Sequence, residues 1–103
     1  MSVVLSDDSK FTQDIQHPKV VVKYYADWCG SCKLFSPKFK RLSDDERFKD
    51  IVFIDINAEH NPEARKLAGV DTLPYFATFE NGQFKAGIST SKEDVFIELL
   101  QKL

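Results

Sequence analysis

Trp28-Cys29-Gly30-Ser31-Cys32-Lys33 decides how the rest of the chain is read. It holds both cysteines and the only tryptophan of the 103 residues. An apolar run, Val20 to Ala26, precedes it, and a segment with helical spacing of apolar residues, Leu34, Phe35, Phe39 and Leu42, follows. A Cys-x-x-Cys pair set between a strand and a helix reads as a redox dithiol. The start of a helix turns free backbone N–H groups and the positive end of the helix dipole toward the first sulfur. Both stabilise a thiolate, so Cys29 is expected to ionise more readily than an ordinary cysteine. Cys32 lies about one helical turn further on, close enough for the two sulfurs to join with little backbone movement. Two blander readings compete, half of a zinc site or two unrelated buried cysteines. A closed zinc site needs a full tetrahedral set of N or S ligands. Beyond the cysteines the chain offers only His17 and His60, both among polar loop residues and read as solvated, so no metal site is expected.

Working outward, the length fits one domain spanning residues 1–103, with a single core. Hydrophobic residues make up 43% and include nine phenylalanines, enough for folding without a metal or staple. The net charge of −2, with acids and bases interspersed, offers no basic surface to nucleic acid or anionic lipid. No apolar run approaches membrane-spanning length. The segment from Met1 to Asp8 lacks the basic start and long apolar core of a signal peptide. A lone Cys-x-x-Cys in that setting favours a reducing cytoplasm.

Along the chain, Val3 to Leu5 is a weak edge-strand candidate. Ser6 is placed to cap a helix with Asp7 and Asp8 in its first turn and Phe11 and Ile15 on its inner face, ended by His17-Pro18. Val20 to Ala26 reads as a strand buried on both faces, broken by one charge, Lys23. The helix after the cysteines runs to about Asp45, with Pro37 inside it as an expected kink. Ile51 to Ile56 is the next buried strand, broken by Asp55. Asn61 as cap and Pro62 at the first helical position open a helix whose inner stripe is Ala64, Leu67 and Ala68, with Gly69 as its stop. The Val70 to Pro74 loop leads into a strand, Tyr75 to Phe79. Asn81-Gly82 then makes a hairpin turn into Gln83 to Ala86. Ser91 would cap the last helix, with Val95, Phe96, Leu99, Leu100 and Leu103 on one apolar face. The order β-α-β-α-β-α-β-β-α, with two parallel crossovers and a hairpin, gives an α/β fold with helices on both faces of one mixed sheet.

The run Val20 to Lys33 with Pro37, followed by Asn61-Pro62, Leu73-Pro74 and Asn81-Gly82 in that order, resembles the thioredoxin family over essentially the whole chain. The resemblance implies the thioredoxin fold, a central mixed sheet of about five strands, and thiol-disulfide oxidoreductase activity through a Cys29–Cys32 disulfide. Cys29 would attack a substrate disulfide and Cys32 would resolve the mixed disulfide. It implies a cis bond before Pro74, facing the disulfide. Trp28, Gly30, Ser31, Leu73, Pro74 and Tyr75 would then form a surface for an extended peptide. The chain would act as a monomer on protein disulfides with no bound cofactor, recycled by an NADPH-dependent thioredoxin reductase. Two alternatives stay open, a more oxidising thiol oxidant or isomerase, and a redox-inactive binding module of the same fold.

Three features depart from the family pattern. Ser31 stands where the commonest thioredoxins have proline, which restores a backbone donor between the cysteines. The hairpin is shorter, so Gly87 or Ile88 takes the place of a glycine that lines the substrate groove. Lys23 stands where the family has a buried carboxylate, and Asp55 where it has a lysine. Neighbouring strands of a β-α-β unit would bring these two charges together beneath the cysteines as a buried pair that tunes cysteine pKa. The competing reading is that Lys23 snorkels to solvent and the exchange is only structural compensation.

Overall fold

The chain runs β1 (Val3–Leu5), α1 (Phe11–Asp14), β2 (Val20–Tyr25), α2 (Gly30–Ser43), a short 3-10 turn (Glu46–Phe48) and β3 (Val52–Asn57). It continues through α3 (Pro62–Ala68), β4 (Tyr75–Glu80), β5 (Gln83–Ser89) and α4 (Glu93–Gln101). This is a computed structural model, and it describes residues 3–103. The first two residues of the expected domain, with the start of the segment weighed as a signal peptide, lie outside the described residues. The strand order is β1-β3-β2-β4-β5. β1 and β2 pair parallel with β3, β4 pairs antiparallel with β2, and β5 antiparallel with β4. The expected five-stranded mixed sheet is present.

Successive strand side chains point to opposite faces, and this alternation divides the core. Val20, Val22, Tyr24, Ile54, Ile56, Ala77 and Phe79 meet Phe11 and Ile15 of the α1 segment and Ala64 and Ala68 of α3. Val21, Phe53 and Phe76 meet Phe35, Phe39 and Leu42 of α2 and Phe96, Leu99 and Leu100 of α4. Phe96 sits at the centre of the second half, 4.5 Å from Phe76 and 5.3 Å from Phe35 between ring centroids. Burying each such ring contributes roughly 2 kcal/mol, with more from their tilted and edge-on contacts. Helices therefore cover both faces, and by the same alternation Lys23 and Asp55 fall on the α2 face.

Several local expectations are corrected. Ser6 does not cap α1, because its amide still donates to Asp55 O at 2.9 Å and prolongs the pairing of β1 with β3. Its buried hydroxyl donates to Asp14 Oδ2 at 2.8 Å. The Asp7 carboxylate instead accepts from the amides of Ser9 and Lys10, and the helix begins only at Phe11. Asn61 stands at the cap position of α3 but spends its side chain elsewhere, accepting from the Asp8 amide and donating to Asn57 O. The α3 amides of Glu63 and Ala64 donate to the Asp8 carboxylate at 3.1 and 2.9 Å, so that helix is capped from a distant segment. In α4 the cap residue is Lys92, and Thr90 Oγ1 rather than Ser91 accepts the Lys92 amide.

Leu34 and Leu67, read as inner residues, are 78% and 52% exposed. Each is the immediate neighbour of a buried residue, Phe35 or Ala68, and so lies about 100° round the helix from it. α4 buries Phe96, Leu99 and Leu100 but leaves Val95 half-buried, and Leu103, also half-buried, lies beyond its end. α2 runs through Pro37 to Ser43. Asn81 and Gly82 both take positive φ, 52° and 83°, the turn geometry that matches strand twist. The hairpin strand runs on past Ala86 to Ser89, held by its pairing with Tyr75.

Candidate active site

β2 ends at Tyr25, and Ala26-Asp27-Trp28 carries the chain to Cys29, the cap residue of α2. Cys29 and Cys32 are joined in a disulfide, their Cα atoms 5.3 Å apart. Cys29 Sγ accepts the Cys32 amide N–H at 3.1 Å, the contact that a sulfur at a helix start is placed to make. Only 5% of Cys29 and 2% of Cys32 is exposed, whereas Gly30 and Ser31 between them are exposed. Trp28 is 67% exposed, and its Nε1 donates to Glu59 Oε2 at 2.7 Å. The loop after β3 therefore tethers the indole while leaving most of it exposed.

The Leu73–Pro74 peptide bond is cis. Leu73 packs against the cluster of Ala26, Cys29 and Cys32, and Pro74 is buried with its carbonyl accepting from Ser89 Oγ at 3.0 Å. Of the expected docking residues, Leu73 packs on the bridge, Gly30 and Ser31 lie between its cysteines, and Trp28 directly precedes Cys29. Tyr75 does not join them through its side chain. Its ring turns to the α1/α3 face, edge-on to Tyr24 at 6.2 Å, and its hydroxyl donates to Ala68 O at 3.2 Å. Gly87 makes room for that ring, since a Cβ there would meet the Tyr75 hydroxyl and lie 2.7 Å from Cζ. Ile88, opposite Phe76, is 36% exposed.

Beneath the cysteines, Lys23 and Asp55 are direct partners in the β2–β3 register. Lys23 is 1% exposed, so it does not snorkel. Its Nζ lies 3.3 Å from Asp55 Oδ1 and donates to Ser36 Oγ at 2.6 Å. Ser36 Oγ in turn donates to Cys32 O at 3.2 Å. The ammonium also lies 5.1 Å from the Phe39 ring centroid and 5.8 Å from that of Tyr25, within cation–π range. A cavity of about 260 Å³ carries Lys23, Cys32, Ser36 and Asp55 on one wall system. Burial pulls the Lys23 pKa down and the charge of Asp55 opposes it. Burial pushes the Asp55 pKa up and Lys23 opposes it. The Tyr25 hydroxyl is pushed up by burial and by the carboxylates of Asp55 and Asp27.

Ser36 and Glu59 were missed at the level of sequence. Ser36 follows Cys32 by about one helical turn on the same face, a signal that could have found it. Glu59 carries no such signal, because only the fold brings it to Trp28. His17 and His60 are both exposed. Among the described residues, no group of three or more His, Cys, Asp or Glu is placed to hold a metal ion.

Comparison with known proteins matches the thioredoxin family model to residues 2–102. The chain is 36% identical over 80 residues to thioredoxin-1 of Schizosaccharomyces pombe, covering 77% of this chain and 76% of that one. It is 34% identical over 84 residues to the chloroplastic F-type thioredoxin of Brassica napus, covering 80% of this chain and 44% of that one. A chain of a solved complex between ferredoxin:thioredoxin reductase and thioredoxin f2 superposes with a TM-score of 0.88 at 24% identity, over 98% of this chain and 94% of that one. That last likeness speaks for the fold, while the sequence matches speak for descent. The chain belongs to the thioredoxin family, and with its bridged Cys29–Cys32 pair it is a thiol-disulfide oxidoreductase.

Proposed function

We infer that the chain reduces protein disulfides, with Cys29 as nucleophile and Cys32 as resolving thiol. The observation that carries this is the position of Cys29 at the start of α2, its sulfur accepting the Cys32 N–H. A donor and the helix dipole there favour the Cys29 thiolate. That thiolate attacks one sulfur of a substrate disulfide, and the other substrate sulfur leaves with the electron pair and takes up a proton. Cys32 then attacks Cys29 Sγ, the bond from Cys29 to substrate breaks, and a second substrate thiol is released. The dithiol is oxidised by two electrons as the substrate disulfide is reduced to two thiols.

Trp28, Gly30, Ser31, Leu73 and Pro74 form the docking surface for an extended peptide. Tyr75 contributes by anchoring the start of β4 rather than by its side chain. The protein acts as a monomer in the cytoplasm without a bound cofactor. Its electrons come from an NADPH-dependent thioredoxin reductase. A ferredoxin-linked reductase is the other donor class, supported by the complex in which the similar thioredoxin f2 chain was solved. The buried ammonium beneath Cys32 supports a second reading, a more oxidising thiol oxidant or isomerase, because cations stabilise the reduced, ionised pair.

Turnover of a protein disulfide, followed separately with each reductase, tests this. Cys32→Ser should accumulate a mixed disulfide at Cys29, and Cys29→Ser should be inert. Alkylation of the reduced protein near neutral pH should label Cys29 first. Preferential labelling of Cys32 would reverse the roles, and no turnover with either donor would return the chain to a binding module.

A further inference from the structure

α2 turns Cys32, Phe35, Phe39 and Leu42 into the core. At 100° per residue the positions opposite them are Gly30, Lys33, Leu34, Pro37, Lys38 and Arg41, and all are exposed. Leu34 is 78% exposed, more than any other large hydrophobic residue described. A lone exposed leucine needs no explanation, but this one shares its face with Pro37 and follows Cys32 by two residues. The face is also cationic. The charged side chains of α2 are Lys33, Lys38, Lys40 and Arg41, all positive in a chain whose net charge is −2. Arg41 pairs with Glu93 at 2.7 Å and Lys40 with Asp44 at 3.8 Å. Among the described residues, no acid lies within ion-pair distance of Lys33 or Lys38. Lys38 Nζ instead lies 5.9 Å from the centroid of the Phe35 ring. The charges at Trp28 have the opposite sign. Asp27 precedes it and Glu59 Oε2 accepts from its Nε1 at 2.7 Å, and both carboxylates are exposed. Lys33 and Asp27 line one cavity with Cys32 without pairing.

We propose that the outward face of α2 is a docking surface for acidic protein substrates, with Lys33 and Lys38 meeting carboxylates beside the substrate disulfide and Leu34 and Pro37 taking an apolar side chain between them. This rests on the reading of the chain as a reductase of protein disulfides. The face begins at Gly30 and Ser31, so it continues the surface on which an extended peptide docks. From Gly30 to Arg41 it runs about 17 Å along the helix, a length that an extended segment of about five residues covers. Lys33 and Lys38 break no ion pair of their own chain when they engage a partner, so the acids they meet are a net gain. Asp27 and Glu59 repel the same acids at Trp28. That difference of sign fixes which way an acidic partner lies across the disulfide. Exposed charges of this kind act on encounter and partner choice more than on the strength of the complex.

The test uses the reduced full chain and two disulfide-bridged peptides that differ only in flanking charge, one carrying glutamates and a leucine, the other lysines and the same leucine. The readout is the ratio of their second-order reduction rates, in which any change at the sulfurs themselves cancels. The parent should favour the acidic peptide by about tenfold at about 20 mM salt, and the ratio should fall toward one at about 0.5 M. Lys33→Glu with Lys38→Glu should reverse the preference. Lys66→Glu, the same charge change on exposed α3, should leave the ratio as in the parent. Leu34→Ser should slow the acidic peptide several-fold and its leucine-to-serine counterpart by less. A preference that survives the double reversal overturns the proposal, as does an equal response to Lys66→Glu. A second readout needs no chemistry, the amide shifts of the oxidised protein on adding the acidic peptide with serines in place of its cysteines. Shifts should gather at Lys33, Leu34, Lys38 and Arg41, and shifts confined to other segments overturn the proposal. If neither peptide were reduced, the reductase reading would fail while this second readout still decided the docking surface.

Discussion

Lys23 and Asp55 face each other across the β2–β3 ladder with the ammonium 3.3 Å from the carboxylate, and the lysine is 1% exposed. A buried cation and a partly buried anion thus meet on the α2 face, in a half of the core otherwise built of apolar side chains, most of them phenylalanine and leucine. Burial acts on both members, disfavouring each charged form, and their mutual attraction only partly offsets it.

The sign of the pH dependence follows from these shifts. Lys23 titrates in the folded state below its ordinary 10.5, so between the two values the unfolded chain carries the extra proton and stability rises with pH. Asp55 titrates above its ordinary 3.8, so between those values the folded chain carries the extra proton and stability falls as pH rises. Between these windows the ionised pair lowers stability relative to a neutral one. Asp55→Asn, which leaves the ammonium without its counter-ion, should cost about 3 kcal/mol at neutral pH. The double variant Lys23→Met with Asp55→Leu should match the parent or exceed it by about 2 kcal/mol, and should lose both windows. Urea unfolding across pH measures this. A double variant weaker than Asp55→Asn would mean that the pair itself is a net source of stability.

Gly87 is set by Tyr75. A methyl group at Gly87 meets the Tyr75 hydroxyl and comes within 2.7 Å of Cζ, so the ring or the edge strand must move. Gly87→Ala should destabilise by about 2 kcal/mol, as overpacking does. Tyr75→Leu in the Gly87→Ala background should recover part of that loss, because the colliding atoms are gone. Denaturation of the two single variants and the double variant gives the coupling directly. Additive losses would place the cost of Gly87→Ala in the backbone instead.

The Trp28–Glu59 hydrogen bond presents the indole without burying it. Trp28→Ala should therefore change stability by no more than about 0.5 kcal/mol. It should raise KM for a protein disulfide several-fold, while turnover of a small aliphatic disulfide stays near that of the parent. Glu59→Ala should move KM in the same direction by less, since the ring stays but is no longer held. Equal losses on both substrates in Trp28→Ala would place the tryptophan in the chemistry rather than in docking.

How much of this was legible before folding depends on the range of the interaction concerned. The sequence by itself determined the strand–Cys-x-x-Cys–helix order, the Asn81-Gly82 hairpin and the two buried strands carrying Lys23 and Asp55. These depend on hydrophobic period and on residues a turn or less apart, so local physics suffices. Even the meeting of the two charges was accessible, because side chains alternate and adjacent strands of a β-α-β unit pair. Tertiary structure alone decided who caps whom. Asp8 rather than Asn61 closes α3, Glu59 holds Trp28, and Tyr75 turns away from the disulfide onto Gly87. Leu34 and Leu67 were apolar enough to be read as core, yet the helix rotation set by their neighbours puts them in solvent. In each case the partner comes from a segment distant in the chain, or the outcome depends on which face another element covers. A one-dimensional pattern specifies neither, because backbone groups freed at helix ends bind whichever acceptor packing brings near.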